Sequence, residues 1–134
     1  DAEKIVKVIA GKFEKAEGPE KGHNVDPIYF HVILEEGKEF KCDVPDGHNS
    51  FVYLLAGDLS IGENKHDKTS NSNLILLDRG DKLIVKANKK SEFLFIAGKP
   101  IGEPIARGGP FVMNTKAEIL QAVQDYHNGT FAKY

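Results

Sequence analysis

What most constrains this chain is the rhythm of its apolar residues. They come in short runs, alternate with a period of two inside each run, and stop at Gly, Asp or Asn turns. Ile5 to Ala10 stops at Gly11. Ile28 to Leu34 sets Ile28, Phe30, Val32 and Leu34 against Tyr29, His31 and Ile33. Glu35-Glu36-Gly37-Lys38 reads as a hairpin turn into Glu39 to Val44. Phe51 to Ala56, Leu59 to Ile61, Leu74 to Leu77, Leu83 to Ala87 and Glu92 to Ala97 follow. Gly57-Asp58, Asp78-Arg79-Gly80-Asp81 and Asn88-Lys89-Lys90 lie among them as turns. That is about eight short strands with no helical crossover, so the sheets are expected to be antiparallel and the chain an all-β sandwich or jelly-roll barrel.

Two polar stretches interrupt the pattern. Lys12 to Asp26 is a long charged connection, and Gly62 to Asn73 reads as a mobile surface loop. The end changes character. Thr115-Lys-Ala-Glu118 is a capping box, in which the Thr hydroxyl accepts from the Glu118 amide while the glutamate reaches back. Ile119, Leu120, Val123 and Tyr126 follow on one helical stripe, and Asn128-Gly129 supplies the stop. One helix of about three turns is expected, docked on the outside of the barrel through that stripe.

Length and charge remove several classes of function. At 134 residues the chain is one domain's worth. A net charge of -2 and a pI near 6.2 give no basic footprint for nucleic acid. The lysines at 86–90 and 12–21 read as solvated turns, the latter diluted by Glu14, Glu17 and Glu20. Cys42 is alone, so no intrachain disulfide forms and a reducing, intracellular compartment is expected. It alternates with Phe40 and Val44, which makes it a small core hydrophobe rather than a redox thiol. No apolar run approaches the roughly 18 residues a membrane span needs. The N-terminal DAEKIVKVIAG begins almost directly on a strand, as a domain taken from a longer chain would.

Motifs for nucleophilic or phosphoryl chemistry are missing: there is no CxxC, HExxH or Walker loop, and no serine is flanked as a nucleophile elbow requires. Gly108-Gly109-Pro110 precedes Phe-Val-Met rather than a helix, so it offers no phosphate cradle. Metal chemistry remains. A mononuclear oxygenase site needs three or four imidazoles or carboxylates converging from inward-facing strand positions. Of the five histidines, His23 and His66 fall in polar stretches, His127 ends the helix and His31 could point either way. His48, delivered by the Pro45-Asp46-Gly47 turn to the start of a strand, has a plausible position. No second histidine lies near it.

The strings VPDGHNSFVYLLAGDLSIG, LILLDRGDKLIVKA, FLFIAGKPIGEPI and GPFVMNTKAEILQAVQDYHNGTF resemble the C-terminal half of the pirins, two-domain members of the cupin superfamily. The resemblance runs from KVIAG to GTF. It implies a cupin-type double-stranded β-helix over the single domain 1–134, with the barrel at about 1–105 and a C-terminal segment and short helix at about 106–134. It further implies a partner: pirins stack two such barrels, and the N-terminal one holds iron through three His and one Glu. Some members are linked to quercetin dioxygenase activity and others to redox-sensitive transcriptional co-regulation. Counted back from Gly57, the first-motif ligand positions fall on Asp43, Pro45 and Asn49, with His48 one place off the glutamate slot. The fourth ligand should follow Gly80-Asp81, yet no histidine occurs between His66 and His127.

The resemblance therefore implies a barrel without an intact metal site or a catalytic residue, and no cofactor in this chain. Asp43, His48, Asn49 and Tyr53 could cluster as a vestigial pocket at the barrel mouth. The expected role is structural, packing on the metal-bearing N-terminal pirin domain or on a second copy. Pro110, Phe111, Val112 and Met113 are the expected contact. Two rival readings are a small iron dioxygenase using His48 and Asp43, and a nuclear co-regulator by family analogy; the latter finds no basic targeting run here. A cytoplasmic location is expected.

Overall fold

Each of the apolar runs forms a strand, and the strands pair as a long hairpin folded over on itself. The structure, a computed structural model, describes residues 3–21, 24–62, 67–70 and 73–132. The elements are β1 (Lys4–Ala10), β2 (Lys12–Phe13), β3 (Ala16–Glu17), β4 (Ile28–Leu34), β5 (Glu39–Asp43), β6 (Asn49–Ala56) and β7 (Asp58–Ile61). Then come β8 (Asp67–Ser70), β9 (Leu74–Leu76), β10 (Lys82–Ala87), β11 (Ser91–Gly98), β12 (Ala106–Gly108), β13 (Phe111–Met113) and α1 (Lys116–His127). They divide into two units, residues 1–100 and 101–134.

In the first unit, β1-β4-β11-β6-β9 form a five-stranded sheet and β5-β10-β7-β8 a four-stranded one. The antiparallel pairs nest: β4 with β11, β5 with β10, β6 with β9 and β7 with β8. That is the jelly roll, and every pair in both main sheets is antiparallel. From β4 to β7 successive strands alternate between the two sheets. The turn at Glu35–Lys38 is therefore not a hairpin. Its Lys38 amide does donate to Glu35 O at 3.1 Å, but the Gly37 amide donates to Ala87 O at 2.8 Å and Ala87 returns a bond to Lys38 O at 3.0 Å. Those bonds hand the chain to β10 instead of back to β4.

Two other expectations are corrected. The stretch Gly62 to Asn73 contains β8, which pairs with β7; positions 63–66 and 71–72, His66 among them, lie outside the described residues. Lys12 to Asp26 contains the β2–β3 hairpin, while His23 also lies outside the described residues. β8 is polar, and β2 and β3 are only two residues long, so no apolar alternation announces them, although Phe13 of β2 packs against the core and stacks on Phe40.

Inward-facing positions fill the space between the sheets. Phe30, Val32, Leu34, Val52, Leu54, Phe93 and Phe95 face in from one sheet, and Phe40, Leu59 and Val85 from the other, all at 0% exposure. Phe40 lies 5.8 Å from Phe93 and 6.5 Å from Phe95 between ring centroids, so the aromatic cluster crosses from sheet to sheet. Each such ring contributes about 1.5–3 kcal/mol by leaving water. At the rim, buried Ser91 locks the Gly57-Asp58 turn: its Oγ accepts from the Asp58 amide at 3.0 Å and donates to Lys89 O at 2.7 Å.

The second unit is a hairpin and a helix. Ala106 pairs with Met113 and Gly108 with Phe111. The capping box forms as expected: the Glu118 amide donates to Thr115 Oγ1 at 3.2 Å, and the Thr115 amide donates to Glu118 Oε2 at 2.7 Å. The apolar stripe is narrower than expected. Ala122 is the buried helix residue, Ile119 and Val123 are half-buried beside it, and Leu120 is 71% exposed because it lies about 100° round from Ile119. Gly108 lets the helix approach, since a Cβ there would meet Ile119 Cγ2. Gly129, at φ 71°, ends the helix.

Candidate functional site

The turn after β5 assembles the region that resembles a first metal motif. The Val44 amide donates to Asp81 O at 2.8 Å, Gly47 takes φ 77°, and the His48 amide closes the turn on Pro45 O at 3.2 Å. His48 Nε2 lies 3.1 Å from Asp26 O. A carbonyl only accepts, so Nε2 carries the proton and the ring ties the turn to the segment before β4. Nδ1 is buried, with no hydrogen-bond partner among the described residues. His48 is thus engaged in holding two segments together.

The family's ligand positions face away from the interior. On β5 the buried side chains are Phe40 and, just past it, Val44, so the exposed Asp43 belongs to the opposite face. On β6 the buried Val52 and Leu54 set the same rule, and exposed Asn49 shares the outer face with Phe51 and Tyr53. Pro45 has no side-chain donor at all. These side chains do not make the inward, imidazole-rich donor set that iron requires. Part of the set does lie together, since His48 bonds to the same Asp26 that lines a cleft with Asp43 and Pro45. Asp43 and Pro45 line a cleft of about 500 Å³ with Lys12, Glu17 and Asp26. Tyr53 lies on the outer face of the five-stranded sheet, opposite Leu94 and Leu74.

Cys42 packs half-buried against the core, as its alternation predicted. Burial first, and then the charge of Asp43, push its thiol up from 9.0 to about 11. Its Sγ donates to Asp43 O at 3.2 Å. Such a thiol is a poor nucleophile at neutral pH. A groove of about 800 Å³ opens between β9 and β10, lined by Ile61, Leu74, Leu76, Leu83 and Arg79 among others. In the second unit, Phe111 contacts Tyr126 and Phe131 at 6.1 and 5.0 Å. Of its neighbours, Val112 is 57% exposed, Pro110 exposed and Met113 half-buried.

One pair has no precursor in the sequence reading. His31 Nε2 sits 2.6 Å from Glu92 Oε1 across the β4–β11 ladder. Its signal was the polar residue in an apolar run, but the partner lies 61 positions away and only the nested topology brings it near. No described helix is long and apolar enough to cross a membrane.

Comparison with known proteins agrees with this fold. The Pirin C-terminal cupin domain family matches residues 29–132. A pirin-like protein of Caulobacter vibrioides is 38% identical over 127 residues, which is 94% of this chain and 45% of that protein. Human pirin is 38% identical over 104 residues, covering 75% of this chain and 36% of its own length. A crystal structure of quercetin 2,3-dioxygenase from Acinetobacter baumannii superposes with a TM-score of 0.81 at 32% identity, over 96% of this chain and 44% of that one. The chain thus spans less than half the length of these relatives.

Proposed function

The chain belongs to the pirin family, as its C-terminal cupin domain, and from that membership we propose that it serves as the metal-free structural half of a two-barrel protein. The observation that carries this reading is the interior. Fully buried Phe30, Phe40, Phe93 and Phe95 occupy the space between the sheets where an inward ligand set would have to converge. A packed aromatic interior gives rigidity and excludes water, which suits a scaffold. Among the described residues it leaves Cys42 half-buried against the core and no group of three or more His, Cys, Asp or Glu that could hold a metal ion.

Activity of the kind named for the Acinetobacter baumannii relative belongs, in this proposal, to the other barrel of a longer protein. His48 and Asp43 act here as turn and surface residues. The intact mass of the gene product from its native source tests the reading. A product about twice this length is expected from the share of the relatives that the chain covers, 44–45%. A native product of this length alone would contradict it.

A further inference from the structure

The core is closed around its four phenylalanines and open to water elsewhere. Phe30, Phe40, Phe93 and Phe95 keep no exposed surface, but Val44, Ile61 and Leu83 of the same core retain 7%, 9% and 3%. All three line the groove of about 800 Å³ between β9 and β10, where half-buried Ile75 and Leu77 join them. The strand order makes this opening. β9 ends the five-stranded sheet, and the chain crosses through residues 78–81 into β10 of the four-stranded one, so the two strands share no ladder. An apolar molecule seated there would take the end of the core out of water.

The rim of the groove is charged. Arg79, Lys82 and Asp78 line it, and two cations against one carboxylate leave one net positive charge. Neither cation has an ion-pair partner among the described residues. Asp43 stands opposite Lys82 in the β5–β10 ladder, but it lines the separate cleft with Lys12 and Asp26, and Asp81 lies outside the lining. A guanidinium fork matches a carboxylate through two parallel hydrogen bonds. The volume falls within the roughly 300–1,000 Å³ of sites for small organic molecules.

We infer that this groove binds a small apolar monocarboxylate, its hydrocarbon body on Val44, Ile61 and Leu83 and its carboxylate on Arg79 and Lys82. Every residue the site uses is in this chain, so it stands apart from the two-barrel reading. It also calls for no metal.

Nuclear magnetic resonance titration of the intact native gene product with 2-naphthoate, and with its uncharged analogue 2-naphthalenemethanol, tests this. Naphthoate should shift the backbone amides of Ile75, Leu77, Leu83 and Ile84 and saturate with a Kd below about 1 mM. The alcohol should shift the same amides with an affinity at least about fivefold weaker. Arg79→Gln combined with Lys82→Gln should bring naphthoate down to the affinity of the alcohol. Both positions are exposed, so the substitutions spare the core, and unchanged alcohol binding shows the groove still formed. Naphthoate bound equally by wild type and variant, or no better than the alcohol by the wild type, would overturn the inference. A variant that lost the alcohol as well would equally overturn it, as would shifts confined to residues outside the groove, or none up to about 5 mM. A native mass of one barrel or of two leaves each of these outcomes readable.

Discussion

Cys42 and Gly57 show what single positions do in this barrel. The half-buried Cys42 thiol, held up at about 11, should react with iodoacetamide at pH 8 roughly a hundredfold more slowly than the same thiol in denaturant, because thiolate is the reacting species. Its proton is bound more tightly in the folded state. Its stabilising contribution is therefore full below pH 9.0 and falls as pH rises towards about 11, which urea titrations across that window would read. Gly57 takes φ 103°, and a Cβ there would lie 2.6 Å from Lys90 O and Ser91 Cα. Gly57→Ala should cost about 2 kcal/mol or more, seen as a lowered urea midpoint, since backbone must move and a left-handed residue be held. A change below about 0.5 kcal/mol would show the turn to be slack.

Among the elements, those whose side chains alternate were legible and those made by the backbone alone were not. Ile28 to Leu34 emerges with the bounds its pattern gave, and the Thr115–Glu118 box starts α1 where the spacing put it. β8, reading Asp-Lys-Thr-Ser, carries no apolar period and forms by pairing with β7. The cap makes a prediction at this scale. Thr115→Ala should lower helix stability by about 1 kcal/mol. The Thr115 hydroxyl, then the Thr115 and Asn114 amides, hold the Glu118 carboxyl below its ordinary 4.5. The support it gives is present above that pH and is lost as the pH falls through the lowered value. Amide exchange of α1 followed through acid pH in wild type and Thr115→Ala should show this dependence weakened in the variant.

Across the whole molecule, the class of fold was readable but its wiring was not. Short strands without crossovers imply antiparallel sheets. The nesting of β4 with β11 and β5 with β10 joins residues such as His31 and Glu92 that no local pattern connects. The candidate site was readable in its donors, because Pro45 cannot ligate. It was not readable in its direction, because the outward parity of Asp43 and Asn49 follows from which neighbours are buried. Both points support the proposal of a metal-free structural barrel made above.

Iron content tests that claim most directly. The 134-residue chain, incubated with ferrous iron without oxygen, desalted and assayed by elemental analysis, should retain less than about a tenth of an equivalent, with His48→Ala no different. Stoichiometric iron in the wild-type chain, lost in His48→Ala, would contradict the account.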